Sequence, residues 1–205
     1  MSAPVTGINV AFCVLSAATA GVRLYRTWQK AKALQIHDYM LILALLCGLA
    51  EAILQCIETR YGLGRAFTGV DADDLKMFYQ LLTGLFVAYL LCNMFVKLSL
   101  LSFYRLLSRD NKYFWIICTM AVLAVVFGVG CLVAFIFRCV PFAKQWNPEV
   151  PGQCINFDLY LYANAGIMIA FDIILYILPI LIVREVQLSK AKAAAMNFLF
   201  AMGFM

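Results

Sequence analysis

Three ionisable side chains lie deep in long apolar stretches of this chain: Glu51, Lys97 and Asp172. A charge in hydrocarbon costs several kcal/mol unless it is paired or faces water, so each residue is a candidate for chemistry as well as for structure. At 1.5 Å per helical residue, Lys97 stands about 10 Å from the Tyr104 end of its stretch, and Asp172 about 16 Å from the Val183 end of its own. Lysine's long stem covers that difference, which makes a Lys97–Asp172 pair feasible; Asp38 competes as a partner, and a snorkelling Lys97 needs none. Glu51 runs toward the opposite face, about 10 Å from it, too far from Lys97 to pair easily. It is either neutral or open to a cavity on that side. Asn93 and Lys97 are spaced i, i+4, and Asn164 and Asp172 i, i+8, so each pair shares one helix face. Those faces point into a bundle, because lipid offers amide and carboxylate groups no hydrogen bonds. Pro179 lacks a backbone donor and is expected to bend its helix near Asp172. Two roles stay open for Glu51, Asn93, Lys97, Asn164 and Asp172: a ligand-binding or purely structural polar network, and, for Glu51 and Asp172 as catalytic candidates, proton donation to a substrate.

The remaining reactive side chains are cysteines and one histidine. The eight cysteines include no Cys-x-x-Cys pair and His37 has no histidine neighbours, so no metal is expected. Cys13, Cys47, Cys56, Cys92, Cys118 and Cys131 lie in apolar stretches, where cysteine behaves as a small buried hydrophobe. Cys139 and Cys154 fall in or beside a loop and are candidates for a disulfide; two free thiols, or Cys56 as a rival partner, are the alternatives. Asp38, next to His37, suits a helix N-terminus through capping and the helix dipole, and an interfacial cap is favoured there over a proton relay.

The elements that must position these residues are set by the solvent. Of 205 residues, 65% are hydrophobic and 13% charged, and the mean hydropathy is +0.90. A soluble domain is about half apolar and a quarter charged, so water is the wrong solvent for most of this surface. A helix crosses roughly 30 Å of hydrocarbon with about 20 apolar residues. The chain holds five such stretches, at 8–28, 39–56, 78–104, 114–137 and 159–183. A sixth stretch, 193–205, is too short to span, which points to a fragment or to an unfinished or re-entrant helix. The expected fold is all-α: one transmembrane helical domain over 1–205, with five full spans and a partial sixth. Ser16 to Ala20 is similar to a signal-peptide cleavage site, yet nothing basic precedes Arg23, so the first stretch is expected to remain as a helix.

Orientation follows from the basic residues. The first, third and fifth connections hold Arg23, Arg26, Lys30, Lys32, Arg105, Arg109, Lys112, Arg184, Lys190 and Lys192; the second and fourth hold Arg60, Arg65, Lys76, Arg138 and Lys144. The richer set is expected inside, which places the N-terminus on the extracellular or lumenal side of a plasma membrane or endomembrane. The net charge of +5 is scattered over these short connections, with no patch or tail, which excludes a nucleic-acid partner in favour of the lipid bilayer. The connections, with Gly62, Gly64, Gly69, Pro141, Pro148, Pro151 and Gly152, are expected to be turns. Aromatic residues near the span ends, Tyr25, Trp28, Tyr39, Tyr104, Tyr113, Trp115 and Tyr160, fit an interfacial belt.

The order of these marks resembles the fungal rhodopsin-like integral membrane family, the receptor-like Pth-type proteins of filamentous fungi. The resemblance is carried by Arg23-Leu24-Tyr25-Arg26, Asp38-Tyr39, Gly62-Leu63-Gly64-Arg65, Lys97-Leu98-Ser99 and Phe103-Tyr104-Arg105-Leu106. It continues through Cys139-x-Pro141, Trp146, Cys154, Asn164, Asp172 and Pro179, nearly the whole chain. It implies a heptahelical, receptor-like membrane domain, of which this chain is a truncated version, in a family some of whose members are encoded in secondary-metabolite gene clusters. The chain departs from the family at His37, where a second acidic residue is usual, and at Ala66, where a histidine is usual. No cofactor is expected: a retinal would need a Schiff-base lysine in a seventh helix, and Lys97 is on the third.

Two classes of function follow. One is a receptor-like protein that takes a small lipophilic ligand from outside and couples to a cytoplasmic signalling partner. The other is a membrane-embedded biosynthetic enzyme, or an accessory or transport component, acting on a lipophilic metabolite. The chain shows no hydrolase elbow, phosphate loop or dinucleotide fingerprint, although intramembrane acid catalysis needs only one or two carboxyl groups.

Overall fold

The computed structural model describes residues 2–32, 35–61, 72–107, 111–147 and 150–185. It contains five long helices: α1 (Ser2–Ala31), α2 (Ile36–Tyr61), α3 (Ala72–Leu107), α4 (Asn111–Ile136) and α5 (Phe157–Glu185). Each coincides with one expected span, and each has a segment long and apolar enough to cross a membrane: Thr6–Gln29, Ile36–Thr59, Asp74–Leu106, Tyr113–Ile136 and Phe157–Ile182. The helices start earlier than the apolar stretches do, because polar residues at the water interface end the hydrophobic run without ending the backbone ladder. The sixth stretch, 193–205, and the glycine-rich connection with Ala66 lie outside the described residues.

The outer faces are greasy at helical spacing. On α4, Val122, Val126, Val129 and Val133 form one stripe, with Val122 62% and Val126 64% exposed. Phe12 on α1 and Trp115 on α4 are more exposed still. In water such stripes would be adhesive patches; in lipid they are the solvated surface.

Helix α3 is the hub, packing along α2 most extensively and also against α4 and α5, while α1 lies on α2. Lipid removes the hydrophobic drive between helices, so close approach depends on small residues. Gly48 faces Cys92, Gly84 faces Leu54, and Gly128 sits so near Met94 that a Cβ there would meet its side chain at 3.0 Å. Two apolar clusters fill the α3–α4–α5 interface. Leu101, Tyr104, Ile117, Leu175 and Ile182 form one, and Leu90, Cys131, Phe135 and Met168 the other, with the Phe86 and Phe135 rings stacked at 4.6 Å.

Two expectations need correction. Tyr104 and Tyr113 are not belt residues: both are buried in the first cluster, whereas Tyr25, Trp28, Tyr39 and Trp115 are exposed as a belt requires. The connection between α4 and α5 is also more than a turn. It forms a two-stranded antiparallel hairpin, β1 (Cys139–Val140) with β2 (Gln153–Cys154), around a 3₁₀ turn at Phe142–Gln145. Strands of two residues show no alternation that a sequence reading could detect.

Pro179 lies inside α5, which continues through it to Glu185. A proline there leaves the carbonyl of residue 175 without its helical donor. The Tyr104 hydroxyl donates to Leu175 O at 3.2 Å, so a side chain of α3 satisfies the backbone gap in α5. Tyr104→Phe is therefore expected to destabilise the bundle by about 1–2 kcal/mol, and Pro179→Ala, which restores the helical donor, to remove most of that effect. Thermal unfolding of the four variants in lipid nanodiscs measures the coupling, and additive effects would contradict it.

Candidate functional site

One face of α3 carries Tyr89, Asn93 and Lys97 at successive four-residue steps, so the three side chains stack along a single line. Asp172 of α5 meets that line at Lys97. Lys97 Nζ donates to Asp172 Oδ1 at 2.7 Å and to Asn93 Oδ1 at 2.6 Å. The lysine side chain is 7% exposed and that of Asp172 48% among the described residues, so the cation is the more deeply buried of the two. Asn93 shares the ammonium from its own helix, and the ion pair ties α3 to α5 across 75 residues of sequence.

The competing partner is occupied elsewhere. Asp38, fully buried, accepts the Gln35 backbone N–H at 3.1 Å and lies 3.4 Å from His37 Nε2. A carboxylate at the third helical position reaching back to the N-cap amide is one half of a capping box, the interfacial cap expected of it. Ser99 of α3 donates to the His37 carbonyl at 3.0 Å, which fixes this helix start against α3.

Glu51 and Asn164 stand apart from the pair. Glu51, half-buried on α2, makes no hydrogen bond or ion pair among the described residues. Asn164 is buried about 12 Å along α5 from Asp172, and its Oδ1 has no hydrogen-bond partner there. Thus Asn93, Lys97 and Asp172 form one site and the other two candidates do not join it. Tyr89 lies near both Glu51 and Asp172. It escaped the sequence reading, although its position four residues before Asn93 was the available signal. Glu58 escaped as well. It is buried on α2, its Oε1 has no hydrogen-bond partner among the described residues, and it stands one heptad after Glu51, just past the expected end of the span.

The hairpin sits at the far end of α4 and α5. Cys139 and Cys154 form a disulfide, and Cys56 remains a free thiol. The Arg138 guanidinium lies 4.8 Å from both the Phe135 and the Phe157 rings, bracing the hairpin on α4 and α5. Burial pulls its pKa below the ordinary arginine value, while Tyr160 acts the other way. Gly152 is required at its turn, because a Cβ there would stand 2.3 Å from the Val140 carbonyl oxygen.

Chemically, the arrangement is a clamp. Asp172 accepts a hydrogen bond from an ammonium, so to act as an acid it would first have to release Lys97. Among the described residues no group of three histidine, cysteine or carboxylate side chains is arranged to hold a metal ion.

Five membrane-length helices with a polar clamp inside and apolar faces outside define a multi-pass α-helical membrane protein. Residues 22–205 match the model of the fungal rhodopsin domain, and the chain belongs to that family. It is 24% identical over 155 residues to a SAT4 family membrane protein of Emericella nidulans, covering 74% of this chain and 41% of that one. It is 28% identical over 120 residues to satratoxin biosynthesis SC1 cluster protein 4 of Stachybotrys chartarum, covering 56% and 44% of the two chains. Over 200 residues it is 23% identical to wortmanamides biosynthesis cluster protein C of Talaromyces wortmannii, covering 94% and 54%. The chain spans about half the length of these curated relatives. No solved structure matches it.

If the clamp is a unit, Lys97→Met alone should destabilise the bundle by about 1–3 kcal/mol, by leaving Asp172 without its cation. The Lys97→Met, Asp172→Leu double variant should recover much of that loss. Denaturant titration in mixed micelles tests this, and a double variant as unstable as the sum of the singles would refute it.

Proposed function

We propose that this chain is the membrane-embedded part of a receptor-like protein attached to a secondary-metabolite pathway, and that the Lys97–Asp172 clamp is the element its ligand acts upon. The observation that carries the reading is the asymmetry of that pair: a buried cation held by a carboxylate that is half exposed. A ligand that reaches Asp172 competes with Lys97 and so shifts α5 against α3, a two-state device of the kind that couples binding to a distant face. Two relatives are named as products of biosynthesis clusters, which supports a lipophilic small molecule as the ligand. The loop charges support an N-terminus on the extracellular or lumenal side, in a plasma membrane or endomembrane, with a signalling partner at the basic cytoplasmic loops. The Cys139–Cys154 bridge fits an oxidising compartment on the hairpin side. Residues 1–205 act as one bundle in this reading.

A second reading is favoured by Glu51, a half-buried carboxyl with no described hydrogen-bond or ion-pair partner and with Tyr89 nearby. There the protein is an enzyme, or an accessory or transport component, of the same pathway, with Glu51 as the proton donor. The two separate in a producing strain. On the receptor reading, Lys97→Met and Asp172→Asn alter pathway transcript levels at normal membrane abundance, and Glu51→Gln does not. Accumulation of one unprocessed intermediate in Glu51→Gln, with transcripts unchanged, would overturn the receptor reading in favour of the enzyme.

A further inference from the structure

The start of α2 holds a buried histidine–carboxylate pair that the clamp does not use. His37 Nε2 lies 3.4 Å from Asp38 Oδ1, and the two side chains are 8% and 0% exposed. Residues one apart do not face each other on a helix. They meet here because Asp38 turns back to accept the Gln35 backbone N–H at 3.1 Å with its other oxygen, Oδ2, which carries Oδ1 to the histidine ring. The contact is already enclosed, and any further chain packed on the bundle can only bury it more.

The pair is set into the α2–α3 interface. The His37 ring meets Phe103 of α3 edge to face, with centroids 6.0 Å apart, and Ser99 of α3 donates to the His37 carbonyl at 3.0 Å. From α1, the Arg23 guanidinium lies 5.2 Å from the same Phe103 ring. Among the described residues, the charged and titratable groups around His37 are therefore Asp38 on its own helix and Arg23 across Phe103, while α3 meets it with the neutral Ser99 and Phe103. At 3.4 Å a neutral imidazole touches the carboxylate without a hydrogen bond. A proton on the ring turns that contact into a charge-assisted hydrogen bond, one of the stronger kinds, and draws the ring toward Oδ1. Histidine is the side chain that ordinarily changes charge between about pH 5 and 8.

We propose that His37 and Asp38 form a proton-operated latch between α2 and α3: protonation of His37 closes the pair and holds the start of α2 more firmly against Ser99 and Phe103, and deprotonation loosens it. The sign follows from the pair itself. The added grip is present while His37 carries its proton and is lost as the pH rises through its titration. Such a latch makes the packing of one end of the bundle answer to the pH on that side of the membrane, whatever the Lys97 clamp binds.

The test uses the chain in nanodiscs, with NMR of ¹⁵N-labelled histidine and hydrogen exchange read by mass spectrometry. His37 is the one histidine of the 205 residues, so its ring signal needs no assignment. Between about pH 8 and pH 5 the ring is expected to become an imidazolium. Over the same range the amides of residues 36–40 should come to exchange about tenfold more slowly, once the intrinsic effect of pH on exchange is divided out. His37→Gln cannot take the proton and should abolish that difference. Asp38→Asn keeps an acceptor for the Gln35 amide but offers the ring no charge, and should abolish it too. If either variant fails to fold, the unsubstituted protein still decides, because ring charge and exchange must change together. A ring that keeps one charge state from pH 8 to pH 5, a ring that charges with no slowing at residues 36–40, or a slowing that persists in either variant would each overturn the proposal.

Discussion

Inside hydrocarbon a polar group has no solvent to fall back on, and every such group in this bundle must be satisfied by another part of the chain. That constraint organises the interior more than apolar packing does, since lipid tails are as good a partner for leucine as another helix is. Lys97 is held by Asn93 on its own helix and by Asp172 on another. Tyr104 supplies the donor that Pro179 withholds from Leu175. Asn9 of α1 donates to Gln55 of α2 at 2.7 Å, which ties the first helix to the rest. All of these contacts except that of Lys97 with Asn93 join two helices, so polar satisfaction and tertiary structure largely coincide here.

The contacts converge on α3, which lends the polar face to α5 and the small-residue face to α2. Breaking the pair at Lys97 frees α5 on one side while Ser99, two residues further, still holds the start of α2 through the His37 carbonyl. Groups whose needs are only partly met mark where function can enter. Among the described residues Asp172 is half exposed, Glu51 has neither hydrogen bond nor ion pair, and Arg23 Nη2 has no hydrogen-bond partner.

Much of this was legible in the sequence, for physical reasons. The helices announce themselves because a membrane span needs a long apolar run, and the disulfide because its cysteines were the two outside those runs. Depth and stem length made the Lys97–Asp172 pair feasible but left Asp38 and a snorkelling lysine open, and i, i+4 spacing put Asn93 on the same face without naming its bond to Lys97. Asn164 shows the limit of that reasoning: i, i+8 spacing shares a face, yet the two steps carry it about 12 Å from the pair. Glu58 was hidden because the apolar run ends before the helix does, and Tyr104 because a tyrosine near a span end looks interfacial until the proline on another helix is brought beside it. Arg23 entered as one positive charge in a topology count, and its place beside the Phe103 ring depends on how α1 leans on the other helices, which no local pattern encodes.

The central claim is that Lys97 and Asp172 are in direct contact within the bilayer. Dipolar-recoupling solid-state NMR on proteoliposomes, with ¹⁵N-lysine and ¹³C-aspartate labels and Lys97→Met to assign the signal, measures that contact without disturbing it. The account predicts a strong nitrogen–carbon coupling at Lys97, set by the 2.7 Å Nζ to Oδ1 separation, that disappears in the variant. A Lys97 nitrogen with no aspartate carbon in range would contradict it.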